Sequence, residues 1–209
     1  MKGKRIFEIG CGKGAFLFWA WNQGATFCLG VEPEAEGSTV GVTSVFDEVS
    51  RALDCGESVS LLKRRIQDVI GDGMEPFDVV LSYASINHID ETACSRLHFD
   101  PAARARYLDY FSGMASVLKP GGRLILVDCQ RSNFFKALGL ASPFAPGIAW
   151  RIHQNPGVWA KLISEAGFTP TRLDWIRYYP LRHLGRFFHN RLTAYFLHGV
   201  FLLEGVRGG

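Results

Sequence analysis

Apolar residues fall in short, nearly unbroken runs at Arg5 to Ile9, Thr26 to Val31, Ser58 to Lys63, Phe77 to Ser82 and Arg123 to Asp128. Runs of this length, rich in Val, Ile, Leu and Phe and bounded by Gly, Pro or polar residues, predict strands buried on both faces. Between most of them the spacing turns helical. In Pro101 to Leu118, Tyr107, Leu108, Phe111, Met114, Ala115 and Leu118 share one face, after Asp100 as N-cap and Pro101 in the first turn. Lys119-Pro120-Gly121-Gly122 is the expected stop.

Strand–helix alternation implies a mostly parallel sheet with helices on both faces. The tail departs from that rhythm. A helix around Gly157 to Ala166, ended by Gly167, precedes two strand-like segments, Thr169 to Tyr179 and Tyr195 to Val206, with no adequate crossover helix between them. An antiparallel hairpin is therefore expected, completing a seven-stranded sheet. A chain of 209 residues suits one sizeable core and is short for two, so a single domain over 1–209 is expected, with insertions at about 131–155 and 180–193.

Composition narrows the class. With 47% hydrophobic and 21% charged residues the chain reads as globular, and a net charge of +3 is too small to argue for a nucleic-acid or membrane partner. Five cysteines, Cys11, Cys28, Cys55, Cys94 and Cys129, form no close pair, which fits neither a disulfide framework nor a zinc site and points to a reducing cytoplasm. The apolar stretches Phe16 to Trp21 and Val200 to Leu203 are far shorter than the ~20 residues of a membrane span.

The strongest chemical signal is Glu8-Ile9-Gly10-Cys11-Gly12-Lys13-Gly14, where the first strand turns into the apolar helix that begins at Ala15. Glycines there permit a sharp turn and let a ligand approach the main chain. Glu32, at the end of the second strand, can accept both hydroxyls of a ribose. A nicotinamide dinucleotide is the rival ligand, since Gly10, Gly12 and Ala15 also satisfy its fingerprint. Its anionic pyrophosphate would gain nothing from the Glu8 carboxylate, whereas the ammonium and sulfonium of S-adenosylmethionine would.

Here the chain resembles class I, Rossmann-like S-adenosylmethionine-dependent methyltransferases. Glu8, Gly10, Gly12 and Gly14 match the family's first motif, and Glu32 its ribose acid. Phe77-Asp78-Val79-Val80, Leu118-Lys119-Pro120-Gly121-Gly122 and Glu165-Ala166-Gly167-Phe168 follow in the family's order. The resemblance implies that Glu8 lies near the methionine amino group, that Gly10, Cys11, Gly12 and Gly14 line methionine and ribose, and that Ser82 and Tyr83 flank the cofactor. After the third strand the family's acidic residue is missing, because Arg64-Arg65-Ile66-Gln67-Asp68-Val69 occupies that stretch. Ile66 and Gln67 are the favoured adenine contacts, and a shifted register would bring in Gln67 or Asp68. Such proteins usually carry a few tens of residues before the first strand, so either the cap lies outside these residues or the later insertions supply it.

Methyl transfer from a sulfonium mainly needs positioning, with a general base if the nucleophile must lose a proton. Asn87, His88 and Glu91 follow the fourth strand, and Asp128, Arg131 and Asn133 the fifth. His88 is the first candidate base and Asp128 the second, with capping or backbone bonding as the plainer role for each. His88, Glu91, His98 and Asp100 match no metal-ligand spacing, so no metal is expected. Phe134, Phe135, Phe144, Trp150 and His153 in the long stretch after the fifth strand suggest an apolar or aromatic small-molecule acceptor, or only a lid over the core. Arg172, Arg177, Arg182, Arg186 and Arg191, interleaved with aromatics, leave RNA as the less favoured acceptor. Transfer to O or N of a small metabolite leads, and a non-catalytic binding module remains the alternative from another class.

Overall fold

The computed structural model describes residues 1–34, 40–70, 73–176 and 189–209. Seven strands lie in one sheet: β1 (Arg5–Ile9), β2 (Phe27–Val31), β3 (Val59–Leu62), β4 (Phe77–Tyr83), β5 (Leu118–Cys129), β6 (Phe168–Trp175) and β7 (Val200–Arg207). Their order is β3-β2-β1-β4-β5-β7-β6. The first five run parallel, and β7 is antiparallel to both its neighbours, β5 and β6. This is the expected Rossmann-like sheet with its antiparallel C-terminal pair. Chain direction across the sheet reverses between β1 and β4, and beyond the carboxyl ends of strands at such a switch point α/β sheets open a ligand crevice.

Helices α1 (Ala15–Asn22) and α2 (Val42–Leu53) flank one face of the sheet; α3 (Glu91–Arg96), α4 (Pro101–Ser116) and α6 (Pro156–Glu165) flank the other. Strands covered on both sides need apolar residues at nearly every position, which is why β1 is apolar at Ile6, Phe7 and Ile9 and why Ile6 and Phe7 enter different clusters. The larger cluster closes around Tyr107, Phe111 and Trp159, with the Tyr107 and Trp159 rings 5.3 Å apart. Asp100 caps α4 by accepting the backbone N–H groups of Ala102 and Ala103, as its sequence predicts.

Two boundaries differ from expectation. Helix α4 ends at Ser116, and Lys119 to Gly122 lie within β5, where pairing with β4 jumps from Phe77–Leu118 to Val79–Arg123. Pro120 lacks a ladder donor and Gly121 adopts φ +74°, so these residues make a bulge rather than a plain helix stop. In the tail, Tyr195 belongs to helix α7 (Arg191–Phe196), not to a strand. Asn190 caps α7 by accepting from the Thr193 N–H, and Gly199 at φ +67° turns the chain into β7. The expected continuation of β6 to Tyr179 falls partly outside the described residues, as does most of the 180–193 insertion.

Candidate functional site

Between Ile9 and Ala15 the backbone takes positive φ at Gly10 (66°), Gly12 (50°) and Gly14 (76°), a region that costs residues with a Cβ. The three glycines differ in what surrounds them. A Cβ on Gly10 would stand 2.4 Å from Ser85 Cβ, and one on Gly14 would stand 2.5 Å from the Phe46 ring. One on Gly12 would meet nothing within 4 Å. Gly10 and Gly14 are thus required by packing as well as by backbone shape, while Gly12 leaves the main chain bare toward the crevice.

Two carboxylates frame this loop. Glu32 is buried and accepts the Gly12 N–H through Oε2 at 3.1 Å, which holds the loop against the end of β2. Glu8 is 4% exposed, and its Oε2 has no hydrogen-bond partner. Burial pushes the Glu8 carboxyl up to about 8. An unpartnered buried carboxylate oxygen is costly, and a cationic ligand group would satisfy it. The residues therefore fit S-adenosylmethionine: a cation-seeking carboxylate, a bared backbone and a second acid at the end of β2.

The other residues expected around the cofactor divide in two. Cys11 points away from the crevice, its sulfur being packed where a Cβ on Gly30 would stand 2.4 Å away, so only its backbone borders the loop surface. Burial, then the charges of Glu8 and Glu32, push the Cys11 thiol well above its ordinary range. Ser82 is fully buried. Ser85 donates to the Ile9 carbonyl at 2.5 Å, so the 2.7 Å contact between the two hydroxyls has Ser82 as donor to Ser85. This relay fastens β4 beneath Gly10. Tyr83, the last residue of β4, is exposed. In the short turn after β3, Ile66 is buried and Gln67 is exposed, its amide donating to the Ile89 carbonyl at 3.3 Å.

Beyond β4 and β5 the structure changes the ranking of the candidate bases. His88 is half exposed and pairs with Glu91 at 2.7 Å, in a contact on the surface. Asp128, 2% exposed at the end of β5, accepts from the Cys129 N–H at 2.7 Å and contacts His153 Nδ1 at 3.0 Å, all through Oδ1. Its Oδ2 is buried without a partner. An ionised carboxylate only accepts, so Nδ1 donates to Asp128, and in the neutral ring the lone pair lies on Nε2. Nε2 makes no hydrogen bond to any described residue. Asn87 is fully buried, and neither of its amide atoms is bonded. The Tyr107 hydroxyl donates to the Ile86 carbonyl at 3.1 Å, anchoring the turn that carries Asn87. Among the described residues no group of three His, Cys, Asp or Glu could hold a metal ion.

The stretch after β5 forms a short helix, α5 (Phe134–Ala137), laid against α7. Asn133 ties them: its amide donates to the Tyr195 and Leu197 carbonyls at 3.0 and 2.9 Å while its oxygen accepts the Phe135 N–H. Phe134 packs on Phe196 with ring centroids 4.9 Å apart, and Phe135 on Phe144 at 6.0 Å. Arg131 is fixed by donating to the Arg151 carbonyl at 2.7 Å. Sequence reasoning missed Ser85, Asn87 as an unpaired buried amide, Gln130, and the pairing of His153 with Asp128. Only His153 carried a usable signal, as the lone imidazole in an insertion at the ligand end of the sheet.

Comparison with known proteins gives a consistent family. A family model described as a methyltransferase domain matches residues 1–191. The mouse mitochondrial ubiquinone biosynthesis O-methyltransferase is 25% identical over 165 residues, covering 78% of this chain and 38% of that protein. The Xylella fastidiosa (strain M23) ubiquinone biosynthesis O-methyltransferase is 24% identical over 195 residues, 89% of this chain and 69% of its own. The chain thus spans well under half of the mouse relative. Among solved structures, an S-adenosylmethionine dependent methyltransferase from Mesorhizobium loti superposes with TM-score 0.62 at 16% identity, covering 99% of this chain and 92% of that one. Magnesium protoporphyrin IX methyltransferase from Synechocystis PCC 6803, with bound SAH, gives TM-score 0.60 at 19% identity over 99% and 75% of the two chains.

Proposed function

The chain belongs to the methyltransferase domain family and takes S-adenosylmethionine as methyl donor, and on that premise we propose that it methylates a hydroxyl oxygen of a small metabolite. The observation that carries the oxygen assignment is the Asp128–His153 pair, because a hydroxyl nucleophile must lose its proton as the new bond forms. The names of the ubiquinone-pathway relatives, which are O-methyltransferases, support the same choice.

Glu8 receives the cationic end of the donor on its open oxygen, the backbone at Gly12 lies against it, and Glu32 holds the ribose hydroxyls. Ile66 and Gln67 border the adenine, and Ser82 supports the floor from below while exposed Tyr83 flanks the mouth. When bound, the donor supplies a methyl group already activated by its sulfonium, so the protein has mainly to aim the acceptor and take its proton. His153 accepts that proton at Nε2, and Asp128 fixes the imidazole tautomer and stabilises the cation that results. Asn87, unpaired and buried beside the β4 end, orients the acceptor hydroxyl. His88 serves the rim rather than the reaction.

The acceptor side is built by the insertion at 131–155 together with the described residues that precede β7, on one domain of 1–209, in support of which strands from both halves of the chain share one sheet. None of the described helices is long and apolar enough to cross a membrane. Five unpaired thiols, four of them buried, favour a reducing cytoplasm. The test is S-adenosylhomocysteine release from a panel of phenols, catechols and amines. Turnover confined to amines, with His153→Ala unimpaired, would remove the oxygen assignment.

A further inference from the structure

Past the end of β5 the chain wraps two adjoining cavities, of 460 and 310 Å³, which share Ser132 and Tyr195 in their walls. Gln130 and Arg191 line the larger, Arg131 and Lys136 the smaller. The larger volume falls within the range of about 300–1,000 Å³ usual for small-molecule sites. Among the described residues no carboxylate lines either cavity. None of the three cations is in an ion pair with a described residue.

The polar groups here are rich in donors, several of which lack an acceptor among the described residues. Gln130 is 3% exposed, and its Nε2 is buried with no partner. The hydroxyls of Ser132 and Tyr195 make no hydrogen bond to described residues. Arg131 is held in place by the Arg151 carbonyl, and among the described residues Lys136 Nζ reaches only the Arg131 carbonyl, at 3.4 Å. Burial, then the neighbouring Arg131 charge, lower the Lys136 pKa, the mark of an ammonium lacking a counter-charge. A buried amide left open, two free hydroxyls and three unpaired cations around one space leave a single kind of complement, an anionic oxygen group.

We propose that these cavities hold a carboxylate or phosphate carried by the methyl acceptor, so that the substrate is a hydroxylated organic acid or phosphate ester. The proposal rests on the O-methyltransferase reading for the identity of the ligand as acceptor, though not for the existence of the anion site. Gln130 lies two residues beyond Asp128, so the anion is gripped beside the proton-accepting pair. Such a grip on a non-reacting group fixes the acceptor before the hydroxyl is deprotonated.

The test titrates the full chain with benzoate and, separately, with inorganic phosphate at constant ionic strength, following the Gln130 side-chain amide by NMR. S-adenosylhomocysteine binding is measured on the same samples by calorimetry. Saturable shifts are expected with at least one anion, weakening about tenfold or more in Lys136→Ala/Arg191→Ala and largely kept in Arg191→Lys. Benzoate alone would specify a carboxylate, phosphate alone a phosphate ester. No saturable shift with either anion, or shifts unchanged in the double variant, overturns the site. Should the double variant lose its fold, as its calorimetry would reveal, Arg191→Ala at an exposed position carries the same comparison. Anion binding without S-adenosylhomocysteine binding would refute the methyltransferase reading and leave the anion site standing; the reverse would refute only the anion site.

Discussion

At the β1–α1 end of the crevice, the backbone from Gly10 to Gly14 makes the surface proposed for the donor, and its partners are the ends of neighbouring strands. At the β5–α7 end the surface is made of side chains brought together across long separations: Asp128 with His153 over 25 residues, Asn133 with Leu197 over 64. The first is a local backbone shape that tolerates few residue types; the second is a tertiary arrangement that many sequences could reach. One end of the molecule thus carries its signature in local sequence, and the other assembles its side chains only when folded.

The contrast can be broken most sharply at the second end. His153→Ala should lower kcat by about 10²–10⁴ while leaving the donor Kd within a factor of about two, and Asp128→Asn should act in the same direction, as read from single-turnover rates and calorimetry. Equal losses in donor affinity would mean that His153 holds the fold and not a proton.

Next in size, Glu8→Gln should weaken donor binding by about 10–100-fold, the range of a buried charge-assisted hydrogen bond. The carboxyl, raised by burial to about 8 from 4.5, makes the ligand-free fold most stable below pH 4.5 as far as this group is concerned, with that contribution lost as pH rises through 8. A cationic donor prefers the ionised form, so its affinity should climb between about pH 6 and pH 8.5. Glu8→Gln should flatten both profiles, in thermal melts and in calorimetry.

The glycines give a finer cut. Gly10→Ala and Gly14→Ala should each cost about 1–3 kcal/mol of stability, from left-handed strain added to overlap with Ser85 or Phe46. Gly12→Ala carries only the backbone strain, so its melting temperature should fall less while donor binding falls as much or more. Smallest of all, Asn133→Ala should cost about 1–2 kcal/mol through loss of the α7 tie, raising acceptor KM before it alters donor binding.

How much was legible follows the same division. The strand runs, the α4 cap at Asp100, the glycine spacing and the two acids Glu8 and Glu32 were all readable, because each expresses a rule that operates within a few residues. His88 outranked His153 in the sequence because it follows a strand directly, and nothing local reports that its ring faces water. The Ser82–Ser85–Ile9 relay was hidden because one serine near the end of a strand and another just past it look like the start of any turn. Tyr195 read as strand because an aromatic-rich tail favours extension, until Asn190 as cap and Asn133 as tether decide for a helical turn.

The place of β7 has a consequence for how the molecule is made. It is the last of the described strands yet sits between β5 and β6, so β6 has no hydrogen-bonded neighbour among the described strands until residues 200–207 have emerged from the ribosome. The residues of the five parallel strands and of the Gly10–Gly14 loop are synthesised well before that. The parallel part of the sheet is thus complete in sequence before β7 is made, and β7 must slot between two strands already synthesised.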